Sequence, residues 1–130
     1  MRVLKSQLIR DQLTPEELAA LEQDFRTYKT SRCMPSSFGR DALYDHPHTP
    51  RILLAEEVRH IHLRFDNGWP ARLPQFKRKS DDHLVYCEGA LEPDVFLLMA
   101  VLRPNAHDLI NDLTTAIKLG EMAERFRQQF

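Results

Sequence analysis

Residues 58–65 read VRHIHLRF, with two histidines and an arginine at every second position of an apolar run. On a β-strand successive side chains point to opposite faces, so His60, His62 and Arg64 share one face while Ile61, Leu63 and Phe65 share the other. Residues two apart on a strand stand about 7 Å from each other, a separation that a bound phosphodiester and its neighbours can bridge. Histidine suits both acid and base roles because its pKa lies near working pH, and the arginine adds a fixed positive charge. His83 and Tyr86 belong to a second strand-like stretch, HLVYCEG at 83–89, but fall on its opposite faces, so at most one of them joins the row directly. His83 lies with Val85 and Cys87, and Tyr86 with Leu84 and Glu88; without the strand register both stay candidates. The His-x-His pair also has the form of a zinc-binding element. No third ligand stands at a characteristic spacing, so no metal is expected.

Such side chains need a sheet to hold them. RVLKSQLI at 2–9 predicts a first strand. Thr14 as N-cap, Pro15 at the first helical position and Glu17 completing a capping box then open a helix over 15–30. Its buried stripe is Leu18, Leu21, Phe25 and Tyr28. Residues 33–50 are rich in turn formers and predict a short helical turn around 36–43, followed by a loop pinned by Pro47 and Pro50. A strand-like pattern runs from Ile52 to Phe65. Asn67-Gly68 and two prolines mark the next segment, to 82, as a long loop, and loops of that length are usually functional or mobile. After the strand at 83–89 and a turn at Glu92-Pro93, VFLLMAVLR at 95–103 is apolar on both faces, as a central strand should be. Beyond Pro104 the chain is helical in type, with Leu109, Leu113, Ile117, Met122 and Phe126 as the buried series and Gly120 as a point of bending or interruption. Strands grouped apart from helices imply an α+β fold: a small, mostly antiparallel sheet with N-terminal helices and a C-terminal helix packed on it.

A chain of 130 residues suffices for one domain with a real core, spanning 1–130, and is too short for two comfortable ones. Hydrophobic and charged contents of 42% and 28% are those of a soluble globular protein and exclude collagenous or disordered classes. The longest apolar stretch, VFLLMAVL, is far too short to span a bilayer, so no membrane association is expected. The opening MRVLKSQLIRDQL lacks the apolar core of a signal peptide, which makes the cytoplasm the expected address. Cys33 and Cys87 then stand as reduced thiols, forming neither a CxxC pair nor a zinc cluster. A net charge of −1 hides a strong unevenness. Residues 51–80 carry seven basic side chains against three acidic ones, whereas 81–112 carry one against seven. The net charge argues against indiscriminate coating of nucleic acid, but a local basic tract still grips phosphate.

Several separated phrases, FGRDALYD at 38–45, HIHL at 60–63, HLVYC at 83–87 and the closing KLGEMAERFRQQF, together with the opening RVLKSQLIRDQLTPEEL, resemble the YafO family. Members are toxin components of type II toxin–antitoxin pairs and are described as ribosome-dependent mRNA interferases. The resemblance runs nearly end to end and implies a RelE-like fold, mRNA cleavage during translation, and three partners: the ribosome, mRNA and a cognate antitoxin. No small-molecule cofactor is expected. A slightly negative net charge, unlike the strongly basic balance of many RelE/ParE-group toxins, favours cleavage in which the ribosome presents the RNA. A long helical tail follows the last strand, so the C-terminal catalytic positions of better-mapped relatives are not carried over.

Cutting RNA without a metal needs a base for the ribose 2′-OH, an acid for the leaving 5′-oxygen, and cations for the charge gathering on phosphorus. His60 and His62, with His83 or Tyr86, are the proton handlers this implies, and Arg64 is a cation beside them. Arg40, in the FGRD phrase, either binds phosphate or pairs with Asp41 or Asp45. Arg72, Lys77, Arg78 and Lys79 are read as contacts to ribosomal or mRNA backbone, since loop cations position phosphate without reading sequence. Trp69 and Phe76 either stack on bases or anchor the loop. His107 is a helix-start residue, and His46 and His48 have no assigned role. The rival expectation is a non-catalytic inhibitor that occupies a ribosomal or other macromolecular surface through the same basic tract. A weaker one is inhibition of a DNA topoisomerase.

Overall fold

The computed structural model describes residues 1–130. Strand β1 (Arg2–Lys5) leads into a short helix α1 (Gln7–Gln12), whose start is capped by the Ser6 side chain accepting from the Ile9 N–H. Helix α2 (Pro15–Ser31) begins with the full reciprocal capping box between Thr14 and Glu17, as predicted, and ends on Arg32 in the left-handed region at φ 59°. Then come β2 (Phe38–Leu43), α3 (Arg51–Ala55), β3 (Arg59–Leu63), β4 (His83–Glu88), β5 (Val95–Leu102), α4 (Ala106–Asn111) and α5 (Leu113–Gln129).

The five strands form one sheet in the order β1-β5-β4-β3-β2. Only the β1–β5 pair is parallel; the other three are antiparallel. The α+β class with a mostly antiparallel sheet is therefore the architecture found. Helices cover both faces. On one, Ile9, Leu18, Leu21 and Phe25 pack on Phe38, Ile61, Leu84, Tyr86 and Phe96, with Phe25 edge-on to Tyr86 and Phe96 at 5.0 and 5.3 Å between ring centroids. On the other, Leu53, Ile110, Ala116, Leu119, Ala123 and Phe126 pack on Val85, Cys87, Leu97 and Met99. Strand β5, second in the sheet and buried along its whole length, serves both cores, which is why its sequence shows no polar face.

Four local expectations are corrected. The segment around 36–43 is not a helical turn but the edge strand β2: Phe38 inserts into the core, and pairing with β3, remote in sequence, overrides the turn-like composition. Gly39 lets the β2 backbone meet the long loop, where a Cβ would stand 2.4 Å from the Arg78 carbonyl oxygen. The pattern from Ile52 to Phe65 splits into α3 and β3, because Glu57 turns the chain at φ 52° and the Val58 N–H closes back on the Leu53 carbonyl at 2.8 Å. The first strand stops at Lys5, where Ser6 starts a helix. The C-terminal helical region breaks at Asp112, which caps α5, and runs unbroken through Gly120.

The buried face of α5 also differs from the predicted one. Ala116, Leu119, Gly120, Ala123 and Phe126 point inward, while Leu113 and Ile117, and Leu109 on α4, stay exposed. Small residues permit the close approach: Ile52 of α3 lies where a Gly120 Cβ would be, 2.4 Å from its Cγ2.

Candidate active site

The register between β3 and β4 decides the geometry. His62 faces His83 directly and His60 faces Val85, so all three imidazoles emerge on the α4 side of the sheet. Ring centroids are 5.1 Å apart for His60 and His62, and 4.5 Å from His83 to each of the others. The rings are mostly buried, but they form the floor of a cleft of about 580 Å³ whose walls include Tyr44, Arg40, Lys79, Ser80 and Asp81.

Each ring is held differently. Tyr44, two residues after the Ala42 that pairs with His60, lies flat on the His60 ring with centroids 4.0 Å apart, and its hydroxyl meets His83 Nδ1 at 2.9 Å. Ser80 brings both its backbone N–H and its carbonyl to 2.8 Å from His62 Nδ1, so that nitrogen finds a partner whether it accepts or donates. The serine is itself fixed, its hydroxyl donating to the Leu63 carbonyl at 2.7 Å. His60 Nδ1 is buried with no hydrogen-bond partner.

Burial dominates the electrostatics. It pushes His60 down to about 2, helped by the neighbouring His83 and His62 and by Arg40. Burial also takes His83 down to about 4, with His62 adding to the fall and Asp81 opposing it. His62 is lowered as well, first by burial; the Ser80 backbone opposes that shift, and Arg40 and Lys79 reinforce it. The cluster is thus neutral near pH 7, with free lone pairs. An anion in the cleft would favour a proton on it.

Among the predicted site residues, the structure brings together His60, His62, His83, Arg40 and Lys79. Tyr86 lies on the opposite face, so the register selects His83 over it. The Tyr86 hydroxyl is buried, 2.8 Å from both Asp41 carboxylate oxygens, and accepts from Lys29 Nζ at 2.9 Å. Arg64 leaves the histidine row because β3 ends at Leu63. Beyond it the backbone turns to bond Ser37, and the guanidinium pairs with Asp66 at 3.4 Å and lies over Trp69. Arg64 lines an adjoining cleft of about 660 Å³, which shares Lys79, Ser80 and Asp81 with the first and adds Phe65, Trp69 and Arg103.

Asp41 pairs with Lys29 and Arg59 rather than with Arg40, which lines the histidine cleft. Arg78 is spent on its own loop, donating from Nε to the Leu73 carbonyl at 2.8 Å. Arg72 and Lys77 are exposed on that loop and reach neither cleft. Phe76 is exposed, whereas Trp69 is half-buried with its indole nitrogen enclosed. His107 does start α4, and it also lines the cleft; its backbone N–H donates to Asp81 Oδ1 at 2.9 Å.

Sequence reasoning missed Tyr44, Ser80 and Asp81. None carried a local signal: Tyr44 follows FGRDAL, which only the pairing with β3 makes extended, and a long loop delivers Ser80 and Asp81. It also missed the third imidazole as a possible metal donor. His60, His62 and His83 each offer one ligand atom, all within 4.8 Å of one another.

A family model described as toxin YafO of type II toxin–antitoxin systems matches residues 26–128. Over 132 aligned positions the chain is 49% identical to the mRNA interferase toxin YafO of Escherichia coli strain K12, with both chains covered in full. No solved structure gives a significant match.

Proposed function

The chain belongs to the YafO family of type II toxin–antitoxin toxins, and from that premise we propose that it is an endoribonuclease that cleaves mRNA on the ribosome, with proton transfer by imidazoles and no need of a metal. The observation that carries this reading is the convergence of His60, His62 and His83 on one cleft lined by Arg40 and Lys79.

The hydrogen bonds suggest a division of labour. With Nδ1–H donating to the Ser80 carbonyl, His62 keeps a lone pair on Nε2. It takes the proton from the ribose 2′-OH, and the imidazolium that results is steadied by the same carbonyl. His83 is the acid. Its Nδ1–H rests on the Tyr44 oxygen, and Nε2 gives its proton to the leaving 5′-oxygen. The acid form has a pKa of only about 4 in the free protein, and the negative charge of the bound phosphodiester raises it. The 2′-oxygen bonds to phosphorus as the bond to the 5′-oxygen breaks, leaving a cyclic phosphate and a 5′-hydroxyl. Arg40 and Lys79 stabilise the charge that builds on the phosphoryl oxygens. Tyr44 holds its own proton, since burial pushes its pKa far above the usual value.

The partners that follow are the translating ribosome, its mRNA and a cognate antitoxin, in the cytoplasm; no helix of the chain is long and apolar enough to cross a membrane. The test is to map new 5′ ends on translated mRNA after brief induction. His62→Gln and His83→Gln are each expected to remove the cuts while circular dichroism stays unchanged; persistent cuts in both variants would sink the assignment. A second reading, a blocker that binds the ribosome without cutting, is favoured by the exposed Arg72 and Lys77. It predicts arrested growth with no new ends.

A further inference from the structure

Three imidazoles within ligand reach of one another are an unusual thing to build for proton transfer alone, which needs two. The donor atoms of His60, His62 and His83 all lie within 4.8 Å of one another. Tetrahedral nitrogen ligands at about 2.0–2.1 Å from zinc stand about 3.3 Å apart, so side-chain torsions need close the set by only about 1.5 Å. We propose that these three histidines form a binding site for one divalent transition-metal ion of the zinc class, and that its occupancy silences the nuclease.

Three further features support the site. His62 and His83 already have their Nδ1 atoms engaged, by the Ser80 backbone and the Tyr44 hydroxyl. Zinc-ligating histidines typically have their second nitrogen fixed in this way by an outer partner, which orients the other toward the ion. His60 Nδ1, by contrast, is buried without a partner. Such an orphan calls for an explanation, and an ion shared with the other two rings supplies one where Nδ1 is the nitrogen that His60 turns to it. Finally, the cleft above the rings leaves room for a fourth, non-protein ligand, the arrangement of open three-histidine sites.

The donor set defines the ion. Three neutral nitrogens and no carboxylate among them suit zinc, cobalt, nickel or copper and not magnesium or calcium, which require oxygen ligands. The silencing follows from the lone pairs: the His62 nitrogen that would accept the 2′-OH proton cannot do so while it coordinates an ion. That second half rests on the proton-transfer role proposed above; the binding half does not.

The test uses the full chain, stripped with a chelator and titrated with ZnCl₂ by calorimetry, and with CoCl₂ by visible absorption. One equivalent should bind at micromolar concentration or tighter, with the intense d–d bands of tetrahedral cobalt. His60→Ala and His83→Gln, each checked for folding by circular dichroism, should lose the bands and at least tenfold in affinity. The double variant His46→Ala/His48→Ala controls for a second histidine pair, 5.1 Å apart between centroids, and should bind as before. No binding, binding unaffected by the His60 and His83 changes, or binding lost in the His46/His48 variant would each overturn the site. Zinc should then reduce mRNA cleavage on ribosomes at least tenfold, with chelator restoring it. Cleavage enhanced by zinc would overturn the silencing. Cobalt bands with no cleavage under any condition would leave the ion site standing while removing the nuclease reading.

Discussion

The Tyr44 ring lies on the His60 imidazole with planes 14° from parallel and centroids 4.0 Å apart, and the same side chain carries a hydroxyl to His83. One residue thus sets the position of two rings from different strands. Tyr44→Phe keeps the stack but leaves His83 Nδ1 without its partner, a loss of about 1–3 kcal/mol for a buried polar group. Melting temperature should fall by several degrees, and mRNA cleavage per folded molecule about tenfold or more, because the imidazole loses its orientation. Tyr44→Leu should be worse on both measures. Equal cleavage by wild type and Tyr44→Phe would show that the hydroxyl does not orient the acid.

On the far face, Asp41 gathers the buried Tyr86 and the half-buried Tyr28, Lys29 and Arg59 into one charged network. Tyr86 belongs to that network and not to the cleft. Tyr86→Phe should therefore destabilise by about 1–3 kcal/mol and leave cleavage per folded molecule unchanged. Denaturant unfolding combined with 5′-end mapping checks both parts. A cleavage defect larger than the loss of folded protein would put Tyr86 back among the catalytic groups.

Acid should unfold the metal-free protein through the histidine cluster. His60 and His83 have folded pKa values of about 2 and about 4, each below the unfolded value of 6.5, mainly because burial opposes the charged form. Between those limits the unfolded chain binds more protons than the folded one, so stability rises with pH there. The contribution is complete above about pH 6.5 and is lost as pH falls toward 4 for His83 and toward 2 for His60. In chelator-treated protein the melting temperature should drop from pH 7.5 to pH 5, and His83→Gln should flatten that slope. A slope identical in the variant would mean that other groups drive the acid transition.

How much of this was legible in the sequence differs by element. The α2 cap and stripe could be read because they are local: Thr14, Pro15 and Glu17 act within one turn. The doubly buried β5 was equally plain. The edge strand β2 was not, since only pairing with β3 makes FGRDAL extended. Bulk is a poor sign of burial on α5, where Ala116, Gly120 and Ala123 face inward so that α3 can approach. At the site, strand alternation placed His60 and His62 on one face and offered either His83 or Tyr86 as their companion. Choosing between them required the β3–β4 register, a property of two strands joined by a long loop, which local pattern does not encode. Arg64 was lost for a related reason, since alternation does not say where a strand stops.

The approach of α3 to α5 gives a clean test of packing against propensity. Alanine is favoured over glycine inside a helix by about 1 kcal/mol. At position 120, however, the new Cβ would meet Ile52 Cγ2 at 2.4 Å and its Cγ1 at 2.8 Å. Overpacking of this kind costs about 1–3 kcal/mol. Gly120→Ala should therefore be destabilising by about 1 kcal/mol net, against the propensity trend. Adding Ile52→Ala should recover part of the loss. If Gly120→Ala alone raises the denaturation midpoint, the contact is softer than its geometry implies.

Lys79 and the outer loop cations should separate by the kind of defect they produce. Lys79 lies at the junction of the two clefts, beside the histidines, while Arg72 and Lys77 stand off on the exposed loop. A cation aimed at the reacting phosphate acts on charge that develops in the transition state, so its removal lowers the rate even when the substrate is saturating. Lys79→Gln should reduce cleavage at saturating ribosome concentration about tenfold or more. A cation gripping backbone elsewhere contributes to binding in both ground and transition states and weakens with salt. Arg72→Gln/Lys77→Gln should thus raise the ribosome concentration needed for half-maximal cleavage several-fold and shallow its salt dependence, with the maximal rate preserved. If Lys79→Gln shows only that second behaviour, its ammonium contacts the RNA backbone away from the scissile phosphate, and Arg40 is left as the cation at the reacting centre.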